Sequence, residues 1–128
     1  MPNASLTIST IVDGKERMIS QKGEIYDSGD KLEIRYIDGE AETQITVQKD
    51  CATIIRSGDY GMSLSLKRGA NTQGELLIGG NIGKMEVITH LAEYSLKSDK
   101  YLITLRYDIL FNGDPQKMQV RILAKVNG

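Results

Sequence analysis

Residues 100–126 read KYLITLRYDILFNGDPQKMQVRILAKV, and this stretch decides the fold. Ile103, Leu105, Tyr107, Ile109 and Phe111 alternate with Thr104, Arg106, Asp108 and Leu110, a period of two that sends successive side chains to opposite faces of a strand. Asn112-Gly113-Asp114-Pro115 is turn chemistry, and Met118, Val120, Ile122, Ala124 and Val126 then alternate again. Two long strands joined so briefly run antiparallel, because a parallel return needs a crossover of about a dozen residues or more.

The same pattern extends back to the start of the chain. Ala4, Leu6, Ile8, Thr10 and Val12 make a first strand that Asp13-Gly14 closes as a hairpin turn, and Glu16 to Tyr26 makes a second. Gly23 inside the second strand predicts a bulge or sharp bend. Leu32, Ile34 and Tyr36 share a face of the third strand, and Asp38-Gly39 turns it into a fourth carrying Thr43, Ile45 and Val47. Cys51 to Ser57, Met62 to Leu66 and a short Glu75 to Ile78 follow, with Gly58-Asp59-Tyr60-Gly61 and a loop from Arg68 to Gln73 between them. Lys84 to Lys97 carries two spacings at once. Met85, Ile88, Ala92 and Leu96 would suit a helix, whereas Met85, Val87, Thr89 and Leu91 suit a strand; the β-branched run Val87-Ile88-Thr89 decides for strand.

Composition agrees, with 15 Ile, 5 Val, 8 Thr and 6 Tyr against 6 Ala. The expectation is an all-β antiparallel domain of nine or ten strands spanning residues 1–128, without repeats, low-complexity tracts or linkers. The residues alone leave sandwich and closed barrel both open.

Charge and rare residues exclude several chemistries. Sixteen basic residues against 17 acidic ones give a net charge of −1, which argues against a partner gripped through its phosphates, so no nucleic acid is expected. Cys51 is the only cysteine, so no intrachain disulfide is possible; neither a signal peptide nor an apolar run of spanning length is seen, and a cytoplasmic location without membrane contact is expected. With one His and one Cys, a zinc site lacks ligands, and Cys51, set among Ala52 and Ile54, reads as a small core hydrophobe. His90 reads as a surface or satisfied histidine. Gly79-Gly80-Asn81-Ile82-Gly83-Lys84 lacks the spacing and hydroxyl of a phosphate loop, and Asp27-Ser28-Gly29-Asp30 lacks the alternating ligands of a calcium loop. Both read as turns. No metal, no cofactor and no catalytic constellation are expected.

Ile54-Ile55-Arg56-Ser57-Gly58, Met62, Leu64, Gly69-Ala70-Asn71-Thr72, Met85-Glu86-Val87-Ile88-Thr89 and Ile103-Thr104-Leu105-Arg106-Tyr107-Asp108 together resemble the YwiB-like family of small bacterial proteins, over about Leu6 to Val126. The resemblance implies a single lipocalin-like, calycin-type antiparallel β-barrel of about 8–10 strands, and a strand at Lys84 to Lys97. It implies no activity, because the family's function is unassigned. The chain departs from the family pattern at Glu75 to Gly80. It also lacks the Gly-x-Trp of secreted lipocalins and the Arg-x-Tyr of cytosolic fatty-acid carriers.

Two functions follow as expectations. The first is a binding module that holds a small, mostly apolar ligand inside the barrel, with Tyr36, Thr43, Ile45, Thr89 and Tyr107 on interior parity and Arg56 either capping its strand end or anchoring a ligand anion. Hydroxyls on interior parity favour it, since a purely packed core does better with apolar groups. The second is a structural or protein-interaction module with a filled barrel and no ligand. An enzyme ranks third.

Overall fold

The computed structural model describes residues 3–111 and 114–126. Ten strands follow one another in chain order: β1 Asn3–Val12, β2 Lys15–Asp27, β3 Leu32–Asp38, β4 Ala41–Gln48, β5 Cys51–Ser57, β6 Gly61–Lys67, β7 Asn71–Ile78, β8 Asn81–Lys97, β9 Lys100–Phe111 and β10 Asp114–Val126. Each pairs antiparallel with its neighbour in sequence, and β1 pairs with β10, so the sheet closes on itself. A sandwich is thereby ruled out. Among the described residues every strand pairs on both sides over part of its length, while residues 15–22 of β2 pair with β1 alone.

Alternation sorts the side chains as a barrel requires. Ala4, Leu6 and Ile8 of β1, Ile103 and Leu105 of β9, and Ile122 and Ala124 of β10 are buried, while Ser5, Thr53, Ser65, Arg121 and Lys125 face outward. Turns carry the chemistry expected of them: Asp13 and Gly14 both take positive φ, as do Gly79 and Gly80, the backbone of tight two-residue hairpins. Of the turn expected at residues 112–115, positions 112 and 113 lie outside the described residues; Phe111 and Asp114 on either side are paired.

Four local expectations need correction, the first being the turn read over Gly79 to Lys84, of which Asn81 to Lys84 already belong to β8 and pair with β7. Gly23 carries no bulge, being in register with Ala4 on one side and Tyr36 on the other. It is glycine because a Cβ would stand 2.5 Å from the Arg35 carbonyl oxygen and 2.7 Å from Leu6 Cδ1. The seventh strand begins at Asn71 rather than Glu75, drawn into the sheet by pairing with Ile88 and by Thr72, whose hydroxyl bonds the Ser65 carbonyl. Cys51 stands on the outer parity, half-buried, with its Sγ 3.2 Å from Gln48 Oε1; the core position of the pair belongs to Ala52.

The barrel's bulge lies in β8. Thr89 pairs with Tyr107 and Leu91 with Arg106, leaving His90 extra between them. Inward residues are therefore odd-numbered before it (Met85, Val87, Thr89) and even-numbered after it (Ala92). That change of parity is why the segment carries helical and strand spacing together. Beyond the bulge β8 runs past the ends of other strands: the Asp50 N–H donates to the Ala92 carbonyl at 3.1 Å and the Gly69 N–H to the Thr89 carbonyl at 3.1 Å. These bonds tie the β4–β5 and β6–β7 turns to β8 and close that end of the barrel.

Candidate functional site

The interior is filled unevenly. At the closed end Leu32, Ile34, Val47, Leu66, Val87, Ala92 and Ile103 are buried to within 1 % of completely, a dense apolar plug. Toward the opposite end, where the β1–β2, β3–β4, β5–β6 and β7–β8 hairpins turn, the side chains no longer meet, and a cavity of about 710 Å³ opens to solvent. That volume falls in the range of small-molecule sites.

Strand parity builds the wall. Ile8 and Thr10 of β1, Ile19 of β2, Tyr36 of β3, Thr43 and Ile45 of β4, Ile54 and Arg56 of β5, Met62 of β6, Leu76 of β7, Met85 of β8, Tyr107 and Ile109 of β9 and Met118 of β10 all face it. The lower wall is aliphatic and thioether, and polar groups gather higher up. Five residues marked from sequence, Tyr36, Thr43, Ile45, Arg56 and Tyr107, converge on this one cavity. Thr89 does not line it. It sits in the closed end, 2 % exposed, beside the bulge, and its hydroxyl has no hydrogen-bond partner.

Arg56 holds the rim together. Its Nη1 donates to the Tyr60 carbonyl at 2.8 Å and its Nη2 to Asp59 Oδ1 at 2.9 Å, while the guanidinium lies 3.7 Å from the centre of the Tyr60 ring. Arg56 thus caps its turn and pairs with a carboxylate, as the first sequence expectation has it, and it also lines the cavity. The guanidinium keeps the Asp59 carboxyl below its usual range through that hydrogen bond. The turn itself depends on Gly58, whose φ of +146° brings it so close to Ala41 that a Cβ would stand 2.9 Å from the Ala41 Cα.

The two interior phenols stay neutral. Burial pushes the Tyr107 hydroxyl far above its usual value, with the neighbouring Tyr36 adding to the shift. Burial also raises Tyr36, and its hydrogen bond with Thr43 pulls part of the way back. Neutral hydroxyls beside an apolar wall can orient a ligand's polar atoms, but neither is poised as a base.

Sequence reasoning missed Lys15, Arg17 and Asp38, which line the mouth. The parity of β2 carried the signal for the two cations, since Lys15, Arg17 and Ile19 share a face with the buried Ile25. Among the described residues no cluster of His, Cys, Asp or Glu could hold a metal ion. His90 is half-exposed on the outer surface, its Nε2 3.0 Å from Asp108 Oδ2.

Fold and cavity define a closed ten-stranded antiparallel β-barrel, plugged at one end and open at the other. The chain belongs to the family described as "Domain of unknown function (DUF1934)", which matches residues 5–122. It is also similar to the YwiB protein from Bacillus subtilis, whose crystal structure it matches with a TM-score of 0.81 at 18% sequence identity, covering 99% of this chain and 93% of that one. None of the curated proteins matches. At that identity the likeness to YwiB carries the fold alone, and it agrees with the resemblance drawn from the Arg56-Ser57-Gly58 and Thr89 segments.

Proposed function

We propose that this protein binds a small, mostly apolar molecule in the open half of its barrel, with no catalytic step. The observation that carries this reading is the uneven filling: the same closed sheet is packed solid at one end and leaves about 710 Å³ at the other. A barrel serving only as a scaffold gains by filling that space, because apolar groups left facing water forgo roughly 25 cal/mol for each Å² they could bury. Met62, Met85, Leu76 and Met118 supply an adaptable apolar lining, and Tyr36, Thr43 and Tyr107 supply a few orienting hydroxyls.

An aqueous setting fits the sidedness. A barrel that crosses a membrane carries its apolar band outside and polar groups inside, and here Ile and Leu point in while Ser, Thr, Lys and Arg dominate the outer positions of β1, β5, β6 and β10. No helix among the described residues is long and apolar enough to cross a membrane.

The second reading, an interaction module, is favoured by Ile55, Leu77 and Ile82. All three are at least 47% exposed, and they flank a shallow hollow on the outer surface. Native mass spectrometry of protein purified from its own host separates the two. A bound small molecule, weakened in Met118→Trp, which puts an indole into the cavity wall, supports the binding module. A chain that carries no adduct and whose Met118→Trp variant melts higher is a scaffold, and the binding reading is then rejected.

A further inference from the structure

Charge at the mouth is set by strand parity. Lys15 and Arg17 face the cavity opposite Val12 and Thr10, their partners on β1, while Glu16 between them faces outward and accepts from the Ser9 hydroxyl. Asp13, in the adjoining turn, is occupied by the Lys117 backbone N–H at 2.9 Å. Among the described residues neither Lys15 nor Arg17 has a carboxylate partner. Arg56 adds a third cation, already matched by Asp59. The one carboxylate in the wall among the described residues, Asp38, accepts from the Gln21 side-chain amide at 3.2 Å. Lys15, Arg17 and Arg56 thus stand around this opening with two carboxylates, Asp38 in the wall and Asp59 on Arg56, and among the described residues Lys15 and Arg17 have no ion-pair partner.

The wall below is graded. Tyr36 and Thr43 bring hydroxyls to mid-depth, and Ile8, Ile45 and Ile54 make the lower lining. From Val12 to Ile8 the strand descends four residues, roughly 10 Å along the barrel axis once strand tilt is allowed for. A ligand body of that length is a fused ring system or a short chain. Cations beside a low-dielectric wall concentrate field at the opening, and a guanidinium fork matches the oxygens of an oxyanion.

We propose that the cavity takes an amphipathic anion, its carboxylate, phosphate or sulfonate head between Lys15 and Arg17 at the mouth and its apolar body on the isoleucine and methionine wall. This rests on the ligand-cavity reading above and adds the polarity and orientation of the ligand to it.

The test uses two fluorescent probes with the same ring skeleton, N-phenylnaphthylamine, which is neutral, and anilinonaphthalene sulfonate, which adds one anionic group. Each is titrated into the whole chain, into Lys15→Gln/Arg17→Gln, and into Met118→Trp. The expected result is that the sulfonate binds about tenfold tighter than the neutral probe, the scale that two half-exposed ion pairs supply. The double substitution should abolish that preference and leave the neutral probe within about twofold, and Met118→Trp should weaken both. Equal affinities in the wild-type chain overturn the anion proposal and leave the cavity reading standing. A sulfonate preference that survives the double substitution also overturns it, because the anionic group then sits elsewhere. If neither probe binds, both the anion proposal and the cavity reading fail. Circular dichroism of both variants verifies that they fold.

Discussion

Thr89 and Leu91 pair with consecutive residues of β9, Tyr107 and Arg106, so that the one residue between them has no place in the ladder. This relationship reverses which residues of β8 face inward and carries the strand over the closed end of the barrel. The bulge, not the imidazole, is what the fold uses at position 90. His90→Ala should therefore lower stability by less than about 1 kcal/mol, as expected for a half-exposed pair with Asp108. Deleting His90 should cost more, because straightening β8 strains the bonds from Asp50 and Gly69 to its carbonyls. Urea melts of the two variants side by side check the ordering; equal losses would show that the bulge is dispensable.

Thr89 is buried at the closed end with an unpartnered hydroxyl. Thr89→Val keeps the volume and removes the polar atom, and should raise stability by about 1 kcal/mol. The same variant should leave probe affinity unchanged, since Thr89 is no part of the cavity wall. A shift in affinity would mean that the plug communicates with the cavity.

Gly58 combines a positive φ with backbone contact to Ala41. Gly58→Ala should lower the melting temperature, with a loss of about 1 to 3 kcal/mol from backbone strain alone. Because the turn also seats Arg56 and Tyr60, the Tyr60 resonances should broaden or move in an NMR spectrum of the variant. A melt matching wild type would contradict the close approach.

Tyr107 predicts the alkaline limb of stability. Its hydroxyl ionises near 10.0 when unfolded and well above that when folded, so above pH 10 the unfolded chain gives up a proton that the folded chain keeps. Stability is fully present below that pH and falls as pH rises through it. Tyr36 shifts in the same direction. Tyr107→Phe should flatten the alkaline loss measured by chemical denaturation between pH 9 and pH 11. An unchanged slope would mean that the phenol is already in contact with water.

Much of this was legible in the chain. The clean alternation of Ile103 to Phe111 and Met118 to Val126, and the turn pairs Asp13-Gly14 and Gly79-Gly80, are local signals, and local signals are what strands and hairpins answer to; the Asp38-Gly39 signal falls one residue early, since Asp38 still pairs with Ala41 and the turn is Gly39-Glu40. The inward parity of Tyr36, Thr43, Ile45 and Tyr107 followed from the same counting. The place of Cys51 was not readable in this way: a strand that begins Cys51-Ala52 can put either residue inward, and pairing of Ala52 with Val47 and Leu66 decided it.

The amino-acid sequence by itself determined an antiparallel all-β chain and the faces of its strands, because alternation and turn chemistry act between residues close along the backbone. Closure between Ala4 and Val126 was decided only by the tertiary structure, since β1 and β10 lie at opposite ends of the chain and nothing local joins them. So was the division of the interior. Thr43 and Thr89 look alike in the sequence, both hydroxyls on an inward parity, yet one faces the cavity and the other is sealed in the plug. Depth along a barrel axis depends on how ten strands are staggered against one another, and stagger is a property of pairings that no single strand encodes.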